Sequence, residues 1–181
     1  MASPKPIEPD AKDWTWVLER PCPECGFVAS ACPREQVGAM LRENAADWQR
    51  LLAAPDVARR PADDVWSALE YACHVRDVCT LYDDRLVLML TQRDPTYANW
   101  DQDETAVEAR YGEQDPAVVG PELAAAAAQL ADRFDGVTGA QWQRTGTRSD
   151  SARFTVDSFA RYFIHDLIHH VRDVERGASS T

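Results

Sequence analysis

From Asp63 to Gln92 the chain runs without a glycine or a proline, and its apolar residues recur at three- and four-residue spacing. Strands in globular proteins seldom exceed about ten residues, so this stretch commits the fold to long helices. Pro61 with Ala62, Asp63 and Asp64 supplies a start with acids near the positive end of the helix dipole, and Pro95 supplies the stop. Three other stretches read the same way. "PREQVGAMLRENAADWQRLLAA" puts Val37, Met40, Leu41, Ala45, Trp48 and Leu51 on one face, which predicts a helix over roughly Arg34 to Ala53. "PAVVGPELAAAAAQLADRFDGV" predicts an alanine-rich helix able to approach a neighbour closely. "FTVDSFARYFIHDLIHHVRDVERG" predicts a last helix capped by Thr155 or Ser151 and stopped by Gly177.

No strand-like alternation and no internal repeat separates these helices. The expected fold is therefore all-α, a four-helix bundle. The connection between helices two and three, "TYANWDQDETAVEARYGEQDP", is long and carries one helical turn around Glu104 to Arg110; it implies a crossover. Residues 1–13, with Pro4, Pro6 and Pro9, read as a disordered tail. Residues 14–177 form one domain and 178–181 a frayed end.

A chain of 181 residues can close a single core unaided. Its net charge of -11 disfavours nucleic acid and anionic membranes as partners, since both require a positive footprint. No window has the apolar length of a membrane span, and the prolyl, polar start is unlike a signal peptide. A cytoplasmic location is expected, in which the five cysteines stay reduced.

Three of the four histidines lie in the last predicted helix. His165 and His169 are four residues apart, about 40° around the axis, so both imidazoles can reach one point. By the same phase His170 lies well round the helix and is not expected to join them. An HxxxH pair is half of a site for zinc or a similar divalent ion; the plain alternative is two imidazoles sharing a helix. The fourth histidine, His74, sits midway along helix two among Tyr71, Val78 and Leu81, where an imidazole needs partners for its ring nitrogens. A backbone carbonyl or Tyr71 is the alternative to a metal. His74, His165 and His169 together would hold an ion with one position open, the arrangement of a catalytic zinc. Glu70, Asp77, Asp166 and Asp173 are near in sequence and could orient the imidazoles. Tyr162 and Arg172 share the histidine stripe and are candidates for substrate contact; packing for Tyr162 and a surface salt bridge for Arg172 are the alternatives.

"WSALEYACHVRDV", followed far downstream by "FIHDLIHHVRDV", resembles the DinB/YfiT-like superfamily of four-helix-bundle metalloproteins, and "NWDQDETA" is similar to an actinobacterial branch. The resemblance spans Arg34 to Gly177. It implies that His74 and the pair His165 and His169 are the metal ligands, that the metal is zinc or nickel, and that the protein forms a homodimer, as members often do. It also implies a thiol S-transferase using mycothiol or a similar thiol on a small electrophile. One branch, the mycothiol-dependent maleylpyruvate isomerases, has a glutamate ligand. With histidine at both last-helix positions, that activity is not expected here. A metal-dependent hydrolase and a non-enzymatic metal- or ligand-binding bundle are the alternatives.

"PCPECGF" has the shape of a zinc knuckle, yet no second CxxC follows. Free thiols closing a turn, a reversible Cys22–Cys25 disulfide, and a second metal completed by Cys32 and another group all remain open. The first is preferred.

Overall fold

A computed structural model describes Ile7 and residues 13–179. Most of the tail predicted for residues 1–13 therefore lies outside the described residues, as do 180 and 181. Four long helices form a bundle: α1 (Val37–Leu52), α2 (Ala68–Thr91), α4 (Pro116–Asp135) and α5 (Val156–Ser179). The short α3 (Gln102–Glu108) lies in the connection between α2 and α4. Helix α4 packs on both α1 and α2, and α5 closes the bundle against the same two. The apolar faces meet in the core: Leu41 and Trp48 from α1, Leu69 and Leu86 from α2, Leu123 and Leu130 from α4, and Phe159, Phe163 and Leu167 from α5.

Two helix ends differ from the sequence expectation. Helix α2 begins at Ala68, not near Asp63, because Ser67 and Glu70 form a reciprocal capping box that satisfies the first backbone donors. Glu70 also binds Arg60, which folds the Pro61–Trp66 segment back over the helix start. Gly177 does not end α5, which runs on to Ser179. Gly177 instead lies against Pro61, whose Cγ would be 3.2 Å from any added Cβ.

A small three-stranded sheet was not expected. The strands β1 (Thr96–Tyr97), β2 (Thr145–Arg148) and β3 (Arg153–Thr155) lie in that order, β1 parallel and β3 antiparallel to β2. Strands of two to four residues carry too little alternation to be read from sequence. The sheet matters because it fixes the loop after β1. Ser149 Oγ accepts from Asn99 N at 2.8 Å, and the buried Arg85 donates to the Ala98 carbonyl at 2.7 Å. Trp100 is thereby held over α2.

Candidate metal centres

Helix α5 presents two pairs of residues at i, i+4 spacing, one residue out of step: His165 with His169, and Asp166 with His170. Successive residues point about 100° apart on a helix, so the pairs face different neighbours. The structure sends them to two separate clusters.

The first cluster contains His74 of α2 with Asp166 and His170 of α5, whose ligand atoms all lie within 4.8 Å of one another. His74 Nε2 is 3.6 Å and His170 Nε2 3.4 Å from the two oxygens of Asp166. The two imidazoles meet edge to face with centroids 4.8 Å apart. Both ring nitrogens of His74, which is 1% exposed, lack a hydrogen-bond partner among the described residues, as do Asp166 Oδ2 and His170 Nε2. Orphaned buried polar atoms are costly; one from each of the three side chains lies within reach of a common point, and a two-imidazole, one-carboxylate donor set suits a divalent ion. On the far side of His170, Nδ1 lies 3.3 Å from Asp173 and so has an orienting carboxylate.

Burial pushes the His74 imidazole below its usual pKa, leaving it neutral. Burial works the same way on His170, but Asp166 and Asp173 outweigh it and raise that imidazole. Burial opposes ionisation of Asp166, yet the facing imidazoles hold its carboxyl well below the usual range.

Aromatic rings wall this cluster. Trp100 stacks on His74 with centroids 5.4 Å apart and 16° between planes, Trp66 approaches it at 5.4 Å, and Tyr71 lies 5.0 Å from His170. Asp166 and His170 open onto a cavity of about 640 Å³, lined also by Trp14, Trp66, Tyr71, Trp100, Arg148 and Tyr162. Arg148, at the end of β2, pairs with Asp150 at 2.7 Å and lies over the Tyr162 ring.

The second cluster contains His165 and His169 with Cys22 and Cys25. The expectation that His74, His165 and His169 share one centre is therefore not the grouping found. His74 belongs with Asp166 and His170, because the face of α5 turned towards α2 is one residue further along. Asp166, expected to support a ligand, is itself one of the three grouped side chains. Asp173 keeps its supporting place, whereas Glu70 is engaged by Arg60 and Ser67, and Asp77 by Arg76 and Tyr111. Tyr162 lines the cavity. Arg172 is not part of its lining; it is 58% exposed and pairs with Glu175 at 2.8 Å. His170 was legible as the end of a DxxxH pair, but only its phase relative to Tyr71 and His74 could have selected it.

A helical bundle with imidazole and carboxylate ligands projecting inward from facing helices defines a class of metal-binding bundle proteins. The family model of the DinB superfamily matches residues 40–174, and the chain belongs to that superfamily. Among solved structures it is similar to YfiT from Bacillus subtilis, described as a probable metal-dependent hydrolase with an unusual four-helix bundle topology. The two share 18% identity over 81% of this chain and 86% of that one, with a TM-score of 0.71. No curated protein matches the chain.

Proposed function

We propose that this protein is a metal-dependent enzyme acting on a small molecule, with His74, Asp166 and His170 holding a divalent ion, zinc foremost and nickel as the alternative. The observation that carries the reading is the set of buried, unpartnered ligand atoms at the wall of a cavity. Three protein ligands leave a position open, and a bound ion would supply Lewis acidity and an activated nucleophile at neutral pH. The protein's own groups do the rest. Asp173 fixes the ring of His170, Trp66 and Trp100 shield His74 from water, and Tyr162 beside Arg148 contacts substrate at the other side of the cavity. The volume is within the range typical of small-molecule sites.

Hydrolysis is the simplest form of this chemistry, and the description of YfiT supports it. Transfer of a mycothiol-type thiol to an electrophile would use the same open position. A panel of small esters, amides and electrophiles, assayed with and without thiol, separates the two. The reading predicts turnover that chelation abolishes, that added metal restores, and that His170→Ala loses. Turnover unaffected by chelation and by His170→Ala would refute it. A homodimer and a cytoplasmic setting belong to the same proposal. No helix among the described residues is long and apolar enough to cross a membrane, and all five cysteines are free thiols, as a reducing compartment would keep them. Light scattering of the purified chain tests the dimer.

A further inference from the structure

The second cluster shares no residue with the first, although His165 and His169 line the same cavity. We propose that Cys22, Cys25, His165 and His169 form a closed structural zinc centre that fastens the N-terminal segment to α5. Two sulfurs and two imidazole nitrogens lie within 4.8 Å of one another, a Cys2His2 donor set that zinc fills tetrahedrally.

The two halves are brought together by different local structures. In the CPECG turn, Gly26 N donates to the Cys22 carbonyl and Cys22 N to the Phe27 carbonyl, each at 2.9 Å. Gly26 takes φ +77°, which a side chain would resist. That reversal puts both cysteines on one side of the loop. The helix supplies the second half through i, i+4 spacing.

His169 is oriented as a ligand would be. Its Nδ1 faces Cys22 Sγ at 3.7 Å, while its Nε2 faces the carboxylates of Glu24 and Asp173 at 3.7 and 3.6 Å. Carboxylates behind the non-ligating nitrogen are the usual support of a zinc-bound imidazole. His165 is 4% exposed, and its Nε2 has no hydrogen-bond partner among the described residues. Trp14 and Phe27 pack on the imidazoles at 5.1–5.7 Å. Cys32, the earlier candidate for completing such a site, lies instead against Met40 Sδ at 3.8 Å.

With four protein ligands no position remains for water or substrate, so the role is structural. Its consequence is local: the segment it holds contributes Asp13 and Trp14 to the cavity wall. With His165 and His169 themselves in the lining, the centre shapes the wall of the substrate site.

X-ray absorption at the zinc edge and elemental analysis test this on the full chain purified without chelators. The expected spectrum contains sulfur at about 2.3 Å and nitrogen at about 2.0–2.1 Å. His74→Ala should lower the metal content from about two ions per chain to about one while keeping the sulfur shell. Cys22→Ser with Cys25→Ser should remove it, and Cys32→Ser should not. Cobalt-loaded parent protein should show a thiolate charge-transfer band that the double variant lacks. A zinc shell of nitrogen and oxygen alone, or cobalt protein without that band, overturns the proposal even if the cysteine variants fail to fold. One sulfur-ligated ion in the parent, unaffected by His74→Ala, would uphold this centre and refute a metal at the first.

Discussion

Glu70 ties the start of α2 to the loop before it, and two substitutions there separate what its charge does from what its capping does. Glu70 is 6% exposed, and its carboxylate accepts from Arg60 and from both the backbone N and the hydroxyl of Ser67. Glu70→Gln keeps an acceptor for the capping box but removes the charge opposite Arg60. Losing one partner of a buried pair destabilises by about 3–5 kcal/mol; Arg60, 19% exposed, can turn part-way to water, which reduces the expected loss to roughly 2 kcal/mol. Glu70→Ala also orphans the backbone N–H of Ser67, a residue with no exposure, adding about 1–2 kcal/mol. For a domain of this size the melting temperature should drop by roughly 6 °C for Gln and 12 °C for Ala.

The pH dependence follows from the sign of the shift. Burial alone would raise the Glu70 pKa, but Arg60 and Ser67 together lower it. The stabilisation is therefore complete above the unfolded value of about 4.3 and is lost as pH falls below it through the folded value. Urea unfolding followed by circular dichroism at pH 7 and at pH 3 measures both. Equal losses for Gln and Ala, or a difference from the parent that grows on acidification, would refute the reasoning.

Phe163 is fully buried between Tyr82 and Phe134, with centroids 4.8 and 6.2 Å away; Phe163→Ala should cost about 3–5 kcal/mol in urea unfolding. Gly38 lets α1 approach α4, where an added Cβ would lie 2.9 Å from the Ala131 carbonyl. Gly38→Ala should therefore destabilise by roughly 1–2 kcal/mol despite its better helix propensity, and a more stable variant would contradict the packing. Tyr162→Phe should raise KM severalfold for any substrate found, equivalent to about 1 kcal/mol, with kcat and melting temperature little changed.

What could be read in one dimension was what repeats over many residues. The face of α1 follows directly from its spacing, and its Val37, Leu41, Ala45 and Trp48 are buried in the core. Short-range devices escaped: the capping box at Ser67 and Glu70 outweighed the acids at Asp63 and Asp64, and strands as short as Thr96–Tyr97 leave no periodic trace. The histidines show a sharper limit. Periodicity identifies both i, i+4 pairs on α5 but gives no absolute rotation of that helix about α2. A one-residue step exchanges His165 and His169 for Asp166 and His170. The histidines grouped with Cys22 lie well over a hundred residues away, His169 at a sequence separation of 147, so a knuckle without a second CxxC looked like a bare turn.

The account rests on the ligand set His74, Asp166 and His170, and anomalous diffraction at the zinc edge from crystals of the metal-loaded chain tests it most directly. A peak bounded by Nε2 of His74, Nε2 of His170 and a carboxylate oxygen of Asp166 is the predicted result. A peak shared by His74, His165 and His169, or density with the His74 ring turned away from Asp166 and His170, would contradict it.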